Sequence, residues 1–197
     1  VIMAQDEFTT DVPEHRHLEP KAYWDKRARG LGASKKAPAV SCGEENLLGF
    51  TGDPYAAENI LIHEFAHTIH QQGLAAVDPD FQKRLETTFA RARLEGLWKS
   101  KYAGINPAEY WAEGVQSWFD CNRENDRDHN HVNTRAELIA YDPALAELVR
   151  EVFGDNPWRY RKPRDREEPA HLSGYDFARS PVFRWPEKLV TEYAAIQ

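Results

Sequence analysis

Residues 53–73 constrain how this chain can fold more than any other stretch. Asp53 and Pro54 read as a cap followed by proline at the first helical position, and Gly73 reads as a stop. Between them Ile60, Ile62, Phe65, Ala66 and Ile69 recur at helical spacing, which predicts a buried helix over about 55–72. His63, Glu64 and His67 stand inside that run. The element that must be buried therefore also carries ionisable groups.

His63-Glu64-Phe65-Ala66-His67 matches H-E-x-x-H, and its position inside a helix is the context that gives the pattern chemical meaning. Residues four apart share a helix face, so both imidazoles can converge on one zinc ion at about 2.0–2.1 Å. Glu64 is turned away from that pair but stays near the open position of such a site, where it can take a proton from an attacking water. A catalytic zinc needs a third protein ligand and keeps a fourth position for water.

The residues after His67, Thr68-Ile69-His70-Gln71-Gln72-Gly73, lack the metzincin spacing of a Gly and a third His. His70 lies too near His67 for three histidines on one straight helix to close on one ion, so it reads as a residue supporting a ligand or as structural. Glu109 and Glu113 are better candidates, because they stand four apart on a helix expected from Asn106-Pro107 to about 119, among aromatic neighbours. One of them can complete the zinc while the other accepts a hydrogen bond from the N–H of a ligand histidine. Spacing alone allows either to meet the metal, and a solvent-facing pair is the plain alternative.

Together, 63–67 and Tyr102-Ala103-Gly104-Ile105-Asn106-Pro107-Ala108-Glu109-Tyr110-Trp111-Ala112-Glu113 resemble the gluzincin peptidases, and within them the catalytic domain of anthrax lethal factor and the Pro-Pro endopeptidases. In that family a Tyr stands seven residues before the glutamate ligand, and an aromatic pair, an Ala and a second Glu follow it. The resemblance implies zinc on His63, His67 and Glu109, Glu64 as general base and Tyr102 as oxyanion partner, which leaves Glu113 as the carboxylate beside a ligand histidine. It also implies an α+β, zincin-like fold with a small N-terminal sheet, an active-site helix and a mainly helical C-terminal lobe. The activity expected is that of a zinc-dependent metalloendopeptidase. The alternatives are a zincin-fold hydrolase of another amide and a non-catalytic zinc- or peptide-binding domain, and the intact Glu64 argues against the latter.

A net charge of −7 and a pI near 5.6, with no long basic run, disfavour a nucleic-acid partner. No run approaches the roughly 18 apolar residues of a membrane span, so no membrane insertion is expected. The partner expected is a peptide or protein substrate, and composition leaves the oligomeric state open. Cys42 and Cys121 are candidates for one disulfide, which would suit a secreted or periplasmic mature chain; two buried thiols are the alternative.

The 197 residues suit one domain, read as an N-terminal lobe with the motif helix over 1–73, a helical lobe over 74–155 and an extended arm over 156–197 that wraps through Trp158, Tyr160, Phe183 and Trp185. Other expectations are a strand at 1–4, a helix at 21–29 ended by Gly30 and Gly32, and helices at 79–102, 134–140 and 142–153. Residues 37–50 suit one or two edge strands, and 41–50 could pair with an extended substrate or be purely structural. In the polar stretch after the third helix, His131 and Arg135 are candidates for substrate or oxyanion contact, while His15 and His17 read as solvated.

Overall fold

The computed structural model describes residues 1–166 and 172–196. Along the chain run β1 (Ile2–Met3), α1 (Lys21–Arg27), β2 (Gly30–Leu31), β3 (Ser41–Gly43), α2 (Glu44–Leu48), α3 (Ile60–Thr68), α4 (Ala75–Val77), α5 (Phe81–Leu94), α6 (Pro107–Trp118), α7 (Arg135–Tyr141), α8 (Pro143–Phe153) and α9 (Glu187–Ala194). The fold class is α+β, as expected. The chain forms two compact units, one of Val1–Ala56 with Arg161–Gln197 and one of Ala57–Tyr160. The motif helix thus falls with the helical segment that follows it, where the sequence grouped it with 1–73.

In the first unit β3 is the middle strand, parallel to β1 and antiparallel to β2, with Cys42 opposite both Ile2 and Gly30. Both of its edges are taken, so the expected edge strand for a substrate is not there, and the chain turns directly into α2. A buried ion pair braces this corner. Arg29 donates to both carboxylate oxygens of Glu45, at 2.6 and 2.8 Å, and to the carbonyls of Glu7 and Ala4. Gly43 is required beneath it, because a Cβ there would run into the Glu45 carboxylate.

The C-terminal segment belongs to the same unit. Phe183 is buried against the Arg29 guanidinium, its N–H donates to the Thr51 carbonyl at 2.8 Å, and Lys26 lies over the Trp185 ring at 4.4 Å. Tyr23 of α1 stacks on Tyr193 of α9. The expected arm is therefore helical in part, and Trp158 and Tyr160 lie in the other unit, where Trp158 rests half exposed on Phe119. The part of that arm at 167–171 lies outside the described residues. Cys42 and Cys121 are buried thiols in separate units, each with Sγ directed at a nearby backbone carbonyl, so the expected disulfide is not formed.

In the second unit α3 packs on α6, and the apolar core gathers Ala66, Phe81, Leu85, Tyr110, Trp111, Trp118, Leu138, Leu145 and Val149. Trp111 ties the two helices by donating Nε1–H to the Ala66 carbonyl at 3.0 Å. The motif helix starts later than expected, at Asn59, whose side chain accepts from the Ile62 N–H. Asp53 does not cap it, because its carboxylate is engaged by Asn46 and by the Tyr55 N–H in a turn. Gly73 does not stop the helix either. It sits within a π-helical stretch, Ile69–Leu74, that continues into α4.

α5 ends at Leu94 and not near 102, because Gly96 takes a left-handed conformation (φ 81°) and turns Trp98 into the core. Trp98 Nε1–H and the Tyr110 hydroxyl both donate to Asp142 Oδ2, at 2.9 and 2.6 Å, while Asp142 Oδ1 caps α8 by accepting from the Leu145 N–H. Asp142→Ala strands two buried donors and removes a cap, so a loss of about 3 kcal/mol or more is expected in chemical denaturation. At the α6–α8 contact a Cβ on Gly114 would lie 2.7 Å from Leu145 Cδ2. Gly114→Val should therefore cost about 1–3 kcal/mol by overpacking, read as a lower denaturation midpoint.

Candidate metal centre

His63 and His67 stand one turn apart on α3, and both side chains are buried. On the facing helix Asn106 accepts from the N–H groups of Ala108 and Glu109 at 2.9 Å each, which fixes the first turn of α6 and with it Glu109. His63 Nε2, His67 Nε2 and Glu109 Oε2 meet in a triangle with sides of 3.1, 3.2 and 3.3 Å. Two imidazole nitrogens and one carboxylate oxygen form a donor set that catalytic zinc sites use. Tetrahedral bonds of about 2.0–2.1 Å would set neighbouring ligand atoms about 3.3–3.4 Å apart, close to the sides of this triangle.

The protonation of His63 follows from its neighbours. Gln116 Oε1 lies 2.8 Å from His63 Nδ1. The Gln116 amide faces only one way, because its Nε2 donates to Glu58 Oε2 at 2.9 Å and to the Asn59 carbonyl at 3.1 Å. An amide oxygen can only accept, so Nδ1 carries a hydrogen and, in the neutral ring, Nε2 turns a lone pair toward Glu109. A lone pair and a carboxylate oxygen 3.1 Å apart repel unless positive charge lies between them.

The electrostatics agree with that reading. Burial works against a charge on His63, but the hydrogen bond to Glu109 and the charges of Glu64, Glu113 and Glu109 outweigh it and raise its pKa to about 10. Burial likewise pushes Glu109 up, yet its hydrogen bonds and charge interactions with His63 and His67 hold its carboxyl well below the usual carboxylate range. A proton on His63 relieves one side of the triangle. A divalent cation among the three atoms would relieve all of them, so the residues present fit a zinc ion.

Around the triangle, Glu64 is half-buried on α3, and the Tyr102 ring lies 6.2 Å from that of His63. Glu113 is buried with Oε1 3.6 Å from His63 Nδ1, too far for the hydrogen bond expected of it; Gln116 makes that bond instead. Glu113 Oε2 accepts from Asn122 at 3.0 Å and lies 3.5 Å from His129 Nε2. The His129 ring lies 6.2 Å from that of Tyr102, and its Nδ1 is 2.8 Å from Asp126 Oδ1. The loop bearing it is clamped to Tyr102, whose N–H donates to the Asp128 carbonyl at 2.7 Å.

His131 and Arg135 are engaged elsewhere. His131 is exposed with its ring edge-on to Tyr141, while Arg135 lies over Trp118 at 3.9 Å and donates to the carbonyls of Trp118 and Asn156. In that loop it is His129, two residues before His131, that is buried beside Tyr102. His70 is packed beside Phe81 and Trp111 with Nε2 2.6 Å from Gln82 Oε1. His17 is exposed as expected, but His15 is buried.

Sequence reasoning missed Gln116. Glu109, Glu113 and Gln116 stand at i, i+4 and i+7, one helical stripe, and that spacing was the signal for Gln116. His129 falls in the polar stretch already singled out after the third helix, but nothing local sets it apart from His131, because it is placed by the loop Asp126 organises. No protein-family model, no curated protein and no solved structure matches this chain.

Proposed function

We propose that this chain is a zinc-dependent metalloendopeptidase of the zincin-like, gluzincin type, with His63, His67 and Glu109 holding the metal. The observation that carries the reading is the convergence of three metal-ligating atoms, at 3.1–3.3 Å from one another, beside a glutamate one residue after the first histidine. A zinc ion held by His63, His67 and Glu109 would supply Lewis acidity, polarising a scissile carbonyl and bringing the pKa of a water from about 15.7 toward 7.

The chain's own residues do the rest. Glu64 takes a proton from the attacking water and delivers it to the departing amine, so the peptide bond breaks with no net change in the enzyme's protonation. The Tyr102 phenol donates to the oxygen that becomes negative as the carbonyl turns tetrahedral. Gln116 keeps His63 oriented, and the Trp111 bond to the Ala66 carbonyl ties α6, which bears Glu109, to α3. The substrate class is peptide or protein.

The deciding experiment measures zinc per chain and cleavage of a diverse peptide library by the same preparation. One zinc with metal-dependent cleavage supports the reading. One zinc without cleavage of any peptide would move it to a hydrolase of another amide or to a binding domain, and no zinc at all would remove it.

A further inference from the structure

We propose that Glu58 and Gln116 are a pair of positioning residues that decide which nitrogen of His63 meets the metal. The inference rests on the zinc reading of the site and goes beyond it. A histidine ligand can bind through either ring nitrogen, and the choice is set by the hydrogen bond at the other. At His63 that bond belongs to a neutral amide. A carboxylate stands one bond further out.

Each part of the relay is buried and committed. Gln116 is fully enclosed and Glu58 is 6% exposed. Gln116 uses both kinds of polar atom, Nε2 toward Glu58 and Asn59 and Oε1 toward His63, so turning the amide over would set donor against donor at His63 and acceptor against acceptor at Glu58. Glu58 is anchored in turn, with Oε1 3.6 Å from Arg123 Nη1, while Arg123 Nη2 lies 2.9 Å from Asp126. The loop that packs on Tyr102 therefore joins the chain of contacts that orients His63.

The neighbouring carboxylate cannot take over this task. Glu113 Oε1 lies 3.6 Å from His63 Nδ1, and its other oxygen is committed to Asn122. A carboxylate directly on Nδ1 would strengthen His63 as a donor and add negative charge to the site; an amide fixes the ring without doing either. Polarity, and not only packing, is what the pair contributes.

The test uses the full chain, with zinc affinity read by competition against a chromophoric chelator and ring-nitrogen assignment by NMR of the zinc-loaded, histidine-labelled protein. In the wild type, His63 should hold zinc through Nε2 with a proton on Nδ1. Gln116→Leu, which keeps the bulk and removes the acceptor, should weaken zinc by about 10–100-fold. The exchanged double variant E58Q/Q116E restores a hydrogen-bonded pair with polarity reversed, and should recover zinc binding to within about threefold while shifting the His63 Nδ1 resonance toward that of a carboxylate-bound imidazole.

Wild-type His63 coordinating through Nδ1 would overturn the proposal whether or not Gln116→Leu folds. So would a folded Gln116→Leu protein that binds zinc like the wild type, and that result leaves the metallopeptidase reading standing. A wild type that takes up no zinc removes both.

Discussion

Glu64→Gln protein is expected to fold, keep its zinc and lose peptide cleavage by about 10²–10⁴-fold. The amide preserves the size of the side chain on α3 and differs where it matters, since it cannot take the proton that the attacking water must give up. Zinc should stay because Glu64 is not among the three converging atoms. Its charge does favour positive charge at His63, so zinc affinity should fall by a small factor while turnover collapses. Zinc analysis alongside the cleavage rate makes the check. Turnover retained at the wild-type rate would refute the assignment of Glu64, and zinc lost together with turnover would make Glu64 part of the metal site itself.

What could be read from the sequence was what local chemistry decides. α6 begins at Asn106-Pro107 and α7 at Thr134 because the capping side chain and its targets lie within a few residues of each other. The histidine pair was legible for the same reason, since four residues on a helix place two rings together whatever the rest of the chain does. Glu109 was not fixed by spacing alone. Its choice over Glu113 rested partly on the resemblance; in the fold the Asn106 cap fixes the turn that brings Glu109 Oε2 to the two imidazoles, while Glu113 is buried one turn further along.

The rest depended on contacts far apart in sequence. Asp53 has every local feature of a helix cap, but Asn46 claims its carboxylate and the helix starts at Asn59 instead. Residues 41–50 carry apolar runs that suit strands, yet the Arg29–Glu45 pair requires α2 to follow β3 at once. The helix after 79 lost its last turns because Trp98 packs best when the chain reverses at Gly96 to bring its indole to Asp142. Gln116 shares the helical stripe of Glu109 and Glu113, but which way its amide faces is set by Glu58 and the Asn59 carbonyl, more than fifty residues away.

The comparison of Glu109→Ala with Glu113→Ala should separate ligand from support most sharply. Glu109 supplies one corner of the triangle, so its removal leaves two histidines and should weaken zinc by more than about 10²-fold, since changes one bond further out already cost 10–100-fold. Glu113 touches no corner through its own oxygens, and Gln116 still orients His63 without it. Glu113→Ala should therefore keep zinc to within about tenfold and instead cost stability, because Asn122 and His129 lose a buried partner. Thermal unfolding with and without zinc distinguishes the two effects. An ion bound only by the folded state stabilises it by about 2.7 kcal/mol at 100 times its Kd, so Glu113→Ala should start lower and still rise with zinc, while Glu109→Ala should not respond. The reverse pattern would transfer the third ligand to Glu113 and require α6 to turn by about 40° and slide by about 6 Å along its axis, which the capped first turn at Asn106 and the Trp111 bond to Ala66 both oppose.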